Sequence, residues 1–368
     1  MLPEFRGPRA LRQALRVRAA ELSLAAGSLL AGLALLAALE LGARLVAPAP
    51  TTPDGSADGI YDGHVYSERL GWKPRPGARF AVAGALTTID ARGFRGQPAP
   101  RHPGSAPTRL LVLGDSVAFG YGVGDDQTFA YLLDPDGRRF EVANLAVPGY
   151  GVDQSLRRYE LAGRTWRPQV VVLNLCVHND LADIMLPVFL YDGQHPKPYF
   201  SLKDGRLELH DEHLQVGWRA RLGLWLSESS VLYRHLARSP VAEESAGPEE
   251  HWTERRRKAV LDGAAAEELM TALILRLRRE VEGDQARLVL AVHPSKASYR
   301  GEVGWPERVT RQAGLAGLQV VSLGEAYHAA GLPYGALAVD GIGHLSPQGH
   351  RLAADALRAA LESWPGAS

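Results

Sequence analysis

The chain is poor in cysteine and in lysine. Cys176 is the single cysteine among 368 residues, so no internal disulfide and no cysteine-based metal cluster can form. It lies in an apolar run, which reads as a buried, inert thiol rather than a reactive one. Lysine occurs only at positions 73, 197, 203, 258 and 296, and arginine supplies the other basic side chains. There is also no net charge: 41 basic residues balance 41 acidic ones, which removes the electrostatic case for a nucleic-acid partner. No metal-ligand spacing stands out. The glycine run Gly120-Tyr121-Gly122-Val123-Gly124, with Glu141 about twenty residues on, has its third glycine misplaced for a dinucleotide turn, so no cofactor is expected.

What is present begins with an uncharged stretch. The first twenty residues carry Arg6, Arg9, Arg12, Arg16 and Arg18 against Glu4, and from Leu22 to Leu39 there is no charge at all. At about 1.5 Å per residue those residues approach the thickness of a hydrocarbon core, more so if Leu41 to Val46 contributes. Arginine before the span places residues 1–21 in the cytoplasm and everything after the anchor, 22–46, outside. A cleavable signal peptide is the rival reading; its one small-x-small site, Ala47-Pro48-Ala49, is crowded by proline. Residues 47–59, rich in Pro, Ala, Thr, Asp and Gly, read as a linker. Residues 60–107 mix Tyr61, Tyr66, Trp72, Phe80 and Phe94 with glycine and proline, an irregular or β-rich segment packed on the main domain.

The rest is organised around Leu111-Val112-Leu113-Gly114-Asp115-Ser116-Val117, an apolar run that stops at Gly-Asp-Ser. Such a run reads as a buried strand turning sharply at its carboxyl end, where open α/β sheets bind ligands. Further strands are expected at 140–147, 169–177, 286–293 and 318–323, with helices near 127–133, from Asp153 as cap to about 163, at 264–282 and at 346–364. Five apolar strands alternating with helices predict a parallel sheet covered on both faces. A hairpin is expected where Asp204-Gly205 turns Tyr199–Leu202 into Arg206–Leu209. The insertion that contains it, 181–250, is expected to hang over the cleft end.

Parallel strands bring their polar ends to one edge: Gly114-Asp115-Ser116, Pro148-Gly149 and His178-Asn179-Asp180. There the amides of Ser116 and Gly149 and the side-chain NH2 of Asn179 can converge on one oxyanion. Asp340-Gly341-Ile342-Gly343-His344 would supply a histidine base for Ser116 and a carboxylate to orient it. His178 and His293 fall at strand ends and are candidates for substrate contact, whereas His350 reads as a surface histidine. The bland alternatives are that Ser116 is a helix N-cap and that the glycines only permit turns.

These blocks resemble the SGNH or GDSL esterases and lipases over roughly residues 108 to 362. Gly114-Asp115-Ser116-Val117 resembles the first block, Asn144-Leu145-Ala146-Val147-Pro148-Gly149 the second, and Val177-His178-Asn179-Asp180 the third without its usual glycine. The last block usually reads Asp-x-x-His, but Gly341 stands three residues before His344, with Asp340 one place further back. The anchor, Leu70-Gly71-Trp72, Gly93-Phe94-Arg95-Gly96 and Pro294-Ser295-Lys296 resemble bacterial anchored members. The resemblance implies a flavodoxin-like three-layer α/β/α sandwich, strand order 2-1-3-4-5, over residues 108–364. It also implies Ser116 as nucleophile, His344 as base, Asp340 as orienting acid, and Ser116, Gly149 and Asn179 as the oxyanion hole. The expected activity is hydrolysis of an O-acyl ester, with O-acetyl groups on a cell-envelope polysaccharide as the expected substrate. The alternatives are an acyltransferase to a polysaccharide and a catalytically weak glycan-binding protein on an esterase fold.

Overall fold

The computed structural model describes residues 8–46, 63–96, 107–190, 195–236, 263–302, 304–315, 317–340 and 343–362. The expected linker 47–59 and part of the 181–250 insertion lie outside them. The chain divides into two compact units. One joins Met1–Ala49 to Arg221–Pro240, and the other comprises Pro50–Ala220 and Val241–Ser368, so the 181–250 insertion is shared between them.

The first unit is built on one helix, Pro8–Val46, against which the short Val231–Leu236 helix packs. The stretch Arg16–Val46 of the long helix, 31 residues, is long and apolar enough to cross a membrane.

The second unit holds a five-stranded parallel sheet. Its strands are β1 (Thr108–Leu113), β2 (Phe140–Asn144), β3 (Val170–Cys176), β4 (Arg287–His293) and β5 (Gln319–Ser322), in the order β2-β1-β3-β4-β5. That order is the expected one. Both faces of the central strands are buried because consecutive apolar side chains point to opposite sides. Leu110, Val112, Val170 and Val172 face one core, which Leu357 and Leu361 of the Pro347–Glu362 helix close. Leu111, Leu113, Val171 and Leu173 face the other, closed by Leu156 of the Val152–Leu161 helix and by Leu273, Ile274 and Leu277 of the Gly263–Gly283 helix. Each such fully buried side chain contributes about 1.5–3 kcal/mol. Three layers result, with every strand carrying its C-terminal end to one edge.

Residues 63–96 form two antiparallel hairpins, His64–Ser67 with Gly71–Pro74 and Arg79–Val82 with Ala85–Thr88. The Tyr199–Lys203 and Arg206–His210 hairpin turns as expected through Asp204 and Gly205, both at positive φ (50° and 72°), as its two-residue turn requires.

Two local expectations are corrected. Asp153 does not cap its helix; Gly151 is the cap residue, and Asp153 lies in the first turn, fully buried against the Lys197 ammonium. His350 is not on the surface: it is 0% exposed, and its Nδ1 accepts the Phe129 amide at 3.1 Å. Both polar groups went inside because each found a partner there.

Candidate active site

β1 ends at Leu113, and the chain turns through Gly114 into a four-residue helix, Ser116–Phe119. The cap is Asp115, not Ser116: the Asp115 carboxylate accepts the Val117 amide at 3.0 Å. This leaves the Ser116 hydroxyl half-buried at the strand edge and uncommitted to its own helix. The carbonyl of Ser116 accepts the amides of Gly120 at 3.1 Å and Tyr121 at 3.0 Å, which folds the glycine loop back over the serine.

His344 meets that hydroxyl from the far end of the sequence. Its loop is closed by the Ala338–Leu345 bridge and by the Val339 amide on the His344 carbonyl at 2.7 Å. Within the loop, Asp340 Oδ1 accepts the amides of Gly343 at 2.9 Å and His344 at 3.2 Å, the self-contained turn that a short polar side chain favours. Asp340 Oδ2 lies 2.5 Å from His344 Nδ1, and His344 Nε2 lies 2.8 Å from Ser116 Oγ. With the imidazole proton on Nδ1, that nitrogen donates to Asp340 while Ser116 Oγ donates to Nε2. The one residue by which the Asp340–His344 spacing exceeds Asp-x-x-His does not prevent contact, because Asp340 itself accepts the Gly343 and His344 amides. Burial raises the Asp340 carboxyl, but the hydrogen bond and charge of His344 and the two amides outweigh it and hold the group at about 2.

Two further side chains fix the imidazole. The Tyr121 ring stacks on it with centroids 4.2 Å apart and planes inclined 25°. His293, 2% exposed at the end of β4, donates Nε2–H to the Gly343 carbonyl at 3.1 Å. Burial, foremost, lowers its pKa to about 4, so this histidine is a neutral brace for the loop rather than a group open to substrate. His178, the other strand-end candidate, is exposed.

Gly149 follows β2 in a loop tied to the serine turn, since the Val147 amide donates to the Gly114 carbonyl at 3.0 Å. Gly149 has φ +78°, and a Cβ there would collide with the Phe189 ring, so only glycine fits. The loop is gripped from outside by the first hairpin: Trp72 Nε1 donates to the Pro148 carbonyl at 3.0 Å, and the Tyr150 hydroxyl donates to the Trp72 carbonyl. Arg95 performs a similar service for the glycine loop, ion-pairing with Asp125 at 2.9 Å and donating to the Val123 carbonyl at 2.8 Å. Residues 63–96 thus buttress two of the loops around Ser116.

The Asn179 side-chain NH2 donates one of its two N–H groups to Asp183 Oδ2 at 2.6 Å. Asp115, Asp153, Asp180 and Asp183 are all buried behind the strand ends, with Lys197 as the buried cation among them. Desolvation raises all four carboxyls, Asp183 to about 7. The Asp115 cap and the Asn179–Asp183 pair, four residues apart, are local contacts, whereas Lys197 and Asp153 meet across 44 residues. Lys197 carried one signal, a rare lysine between two prolines.

No protein-family model matches the chain, and none of the curated proteins matches it. Solved structures do match. One is a protein assigned to the G-D-S-L lipolytic family from Desulfitobacterium hafniense DCB-2, at 13% identity over 69% of this chain and 99% of that one, TM-score 0.38. Another is TesA, at 15% identity over 69% and 98%, TM-score 0.39. A third is an acetylxylan esterase from Geobacillus stearothermophilus, at 13% identity over 70% and 95%, TM-score 0.41. A G-D-S-L lipolytic protein and an acetylxylan esterase are therefore among the solved structures this chain resembles.

Proposed function

We propose that this protein is a serine esterase of the SGNH/GDSL kind, anchored in the cytoplasmic membrane by residues 22–46 and carrying its catalytic domain, 108–364, outside the cytoplasm. The observation that carries the reading is the unbroken line from Ser116 Oγ through His344 to Asp340, with contacts of 2.8 and 2.5 Å. Its substrates are O-acyl esters, and the proposed location points to O-acetyl groups on cell-envelope glycans.

In the proposed reaction Ser116 Oγ attacks the ester carbonyl carbon as its proton passes to His344 Nε2. The carbonyl π pair moves onto oxygen, and the resulting oxyanion is met by the Ser116 and Gly149 amides and the Asn179 NH2. Collapse breaks the bond to the alcohol oxygen, which leaves with the proton from His344. Water then attacks the acyl-serine by the same route, releasing the acid and restoring the hydroxyl. Asp340, held ionised at about 2, stabilises the imidazolium in both halves. Exposed His178 is the candidate for contact with the alcohol portion. A catalytically weak binding protein would not need this aligned acid–base pair.

The test is hydrolysis of p-nitrophenyl acetate by the full chain in detergent beside its Ser116→Ala variant. Turnover should fall on the order of 10⁴-fold or more with the melting temperature unchanged. Equal rates in the two folded proteins would defeat the reading.

A further inference from the structure

The uncharged run of the Pro8–Val46 helix ends at Glu40, and the Glu40 carboxylate is fully engaged. It accepts Ser230 Oγ at 2.7 Å and the amides of Val231 at 3.0 Å and Leu232 at 3.1 Å, capping the Val231–Leu236 helix from outside. Arg44, one turn on, donates to the Ser229 carbonyl at 2.7 Å and to Glu40 itself at 2.7 Å. Free first-turn amides and last-turn carbonyls of two short helices are thereby satisfied by one residue pair. The consequence is positional: the C-terminal end of the Trp218–Ser229 helix is fixed at the level where the span's hydrocarbon-compatible run stops.

That helix turns an apolar stripe outward. Leu222 and Trp225 are 47% and 61% exposed, and Trp218, at 71%, continues the same face one turn earlier. The spacing i, i+4, i+7 aligns the three, while Ala220 and Gly223 on the opposite side are buried. Arg219 and Arg221 border the stripe. Two exposed indoles on one helix face are unusual on a water-facing surface and normal at the headgroup level of a bilayer, where an apolar body and a polar N–H are both accommodated.

We infer that the Trp218–Ser229 helix lies in the membrane–water interface, with Leu222, Trp225 and Trp218 set among the lipids and the arginines reaching headgroup phosphates. This makes the anchor two-part, a span and an interfacial helix clamped to its end by Glu40 and Arg44. The inference rests on the reading of residues 22–46 as a membrane span. Anionic lipid is the favoured surface because both bordering charges are positive.

The experiment uses the full chain in vesicles of phosphatidylcholine and phosphatidylglycerol. Cys176 is buried, so an environment-sensitive nitrobenzoxadiazole label can be placed at Trp225→Cys, Leu30→Cys or Glu268→Cys in turn. The label at 225 should show blue-shifted emission and be quenched about twofold more by a nitroxide near the lipid carbonyls than by one at the acyl-chain end. At position 30 the order should reverse, and at 268 neither quencher should act. A label at 225 in water, with 30 still quenched by the deep nitroxide, overturns the interfacial helix while leaving the span intact. Failure of quenching at 30 brings down the span reading and the inference with it. A shielded label at 225 that no lipid nitroxide reaches means a protein covers the stripe, which also overturns the inference.

Discussion

Asp340 and Asp183 are both aspartates whose Oδ2 accepts from a side-chain nitrogen, at 2.5 and 2.6 Å, yet one is held at about 2 and the other is pushed up to about 7. Burial raises both. Asp340 keeps partial contact with water and gathers three donors on its two oxygens, one of them the imidazole that the proposed reaction makes cationic. Asp183 is completely buried, and although Lys197 and Asn179 lower it, Asp153 and Asp115 push the other way. A donor at hydrogen-bond distance therefore does not decide whether a carboxyl stays charged; the count of donors and the sign of the neighbouring charges do. The cleft has an acid kept ionised beside His344, while the region behind the strand ends holds acids in conflict.

In Asp340→Asn the amide can no longer favour the Nδ1–H tautomer or stabilise the imidazolium, so kcat should fall about 10⁴-fold, close to 5.5 kcal/mol in barrier. Steady-state kinetics would read the loss, and a fall of less than tenfold would mean that another group orients His344. The melting temperature should hardly move.

Behind the strands the same kind of change should act on stability instead. Lys197 and Asp153 are each 0% exposed, so Lys197→Met leaves a buried carboxyl without its cation, at a cost of about 3–5 kcal/mol. Urea unfolding would measure it, and the double variant Lys197→Met/Asp153→Asn should recover a large part. If the single and double variants unfold at the same denaturant concentration, the pair is not the source of the loss.

The two regions also differ in how far they could be read from sequence. Strands and cleft were legible because buried parallel strands are unbroken apolar runs, and each run ends in the glycine, proline or polar residues that a strand-end turn requires. Ser116, Gly149 and His344 sit at such punctuation, and Asp340 stands only four residues before its partner. The hidden part is tertiary. Asp153 meets Lys197 across 44 residues, and the Asp115 carboxyl comes close to Asp180 and Asp183 only when β1 and β3 pair. Tyr121 appeared as part of a glycine turn, since nothing local says that its ring will cover an imidazole more than two hundred positions away. The accessory hairpins, with four-residue strands, were too short to show a period.

Stability against pH gives the finest separation of the two acids. Asp183 is raised, so its contribution is fully present below the unfolded carboxyl value near 4 and is lost as pH rises through about 7. Asp340 is lowered, so its contribution is present above about 4 and is lost as pH falls toward about 2. Between pH 4 and 7, then, Asp183 acts and Asp340 does not. His293 and His350, lowered chiefly by burial to about 4 and about 3, pull in the opposite direction from about pH 4 up to the unfolded histidine value near 6.5, so the raw slope is a mixture. The difference between wild type and Asp183→Asn cancels the histidines. The variant should gain relative stability as pH rises from 4 to 7, by at most about 4 kcal/mol, a change readable in parallel urea titrations. Asp340→Asn should run parallel to wild type over the same interval and diverge only below pH 4. Parallel curves for Asp183→Asn would mean that Asp183 is ionised throughout, and that the surroundings of the two aspartates do not differ in the way their neighbours imply.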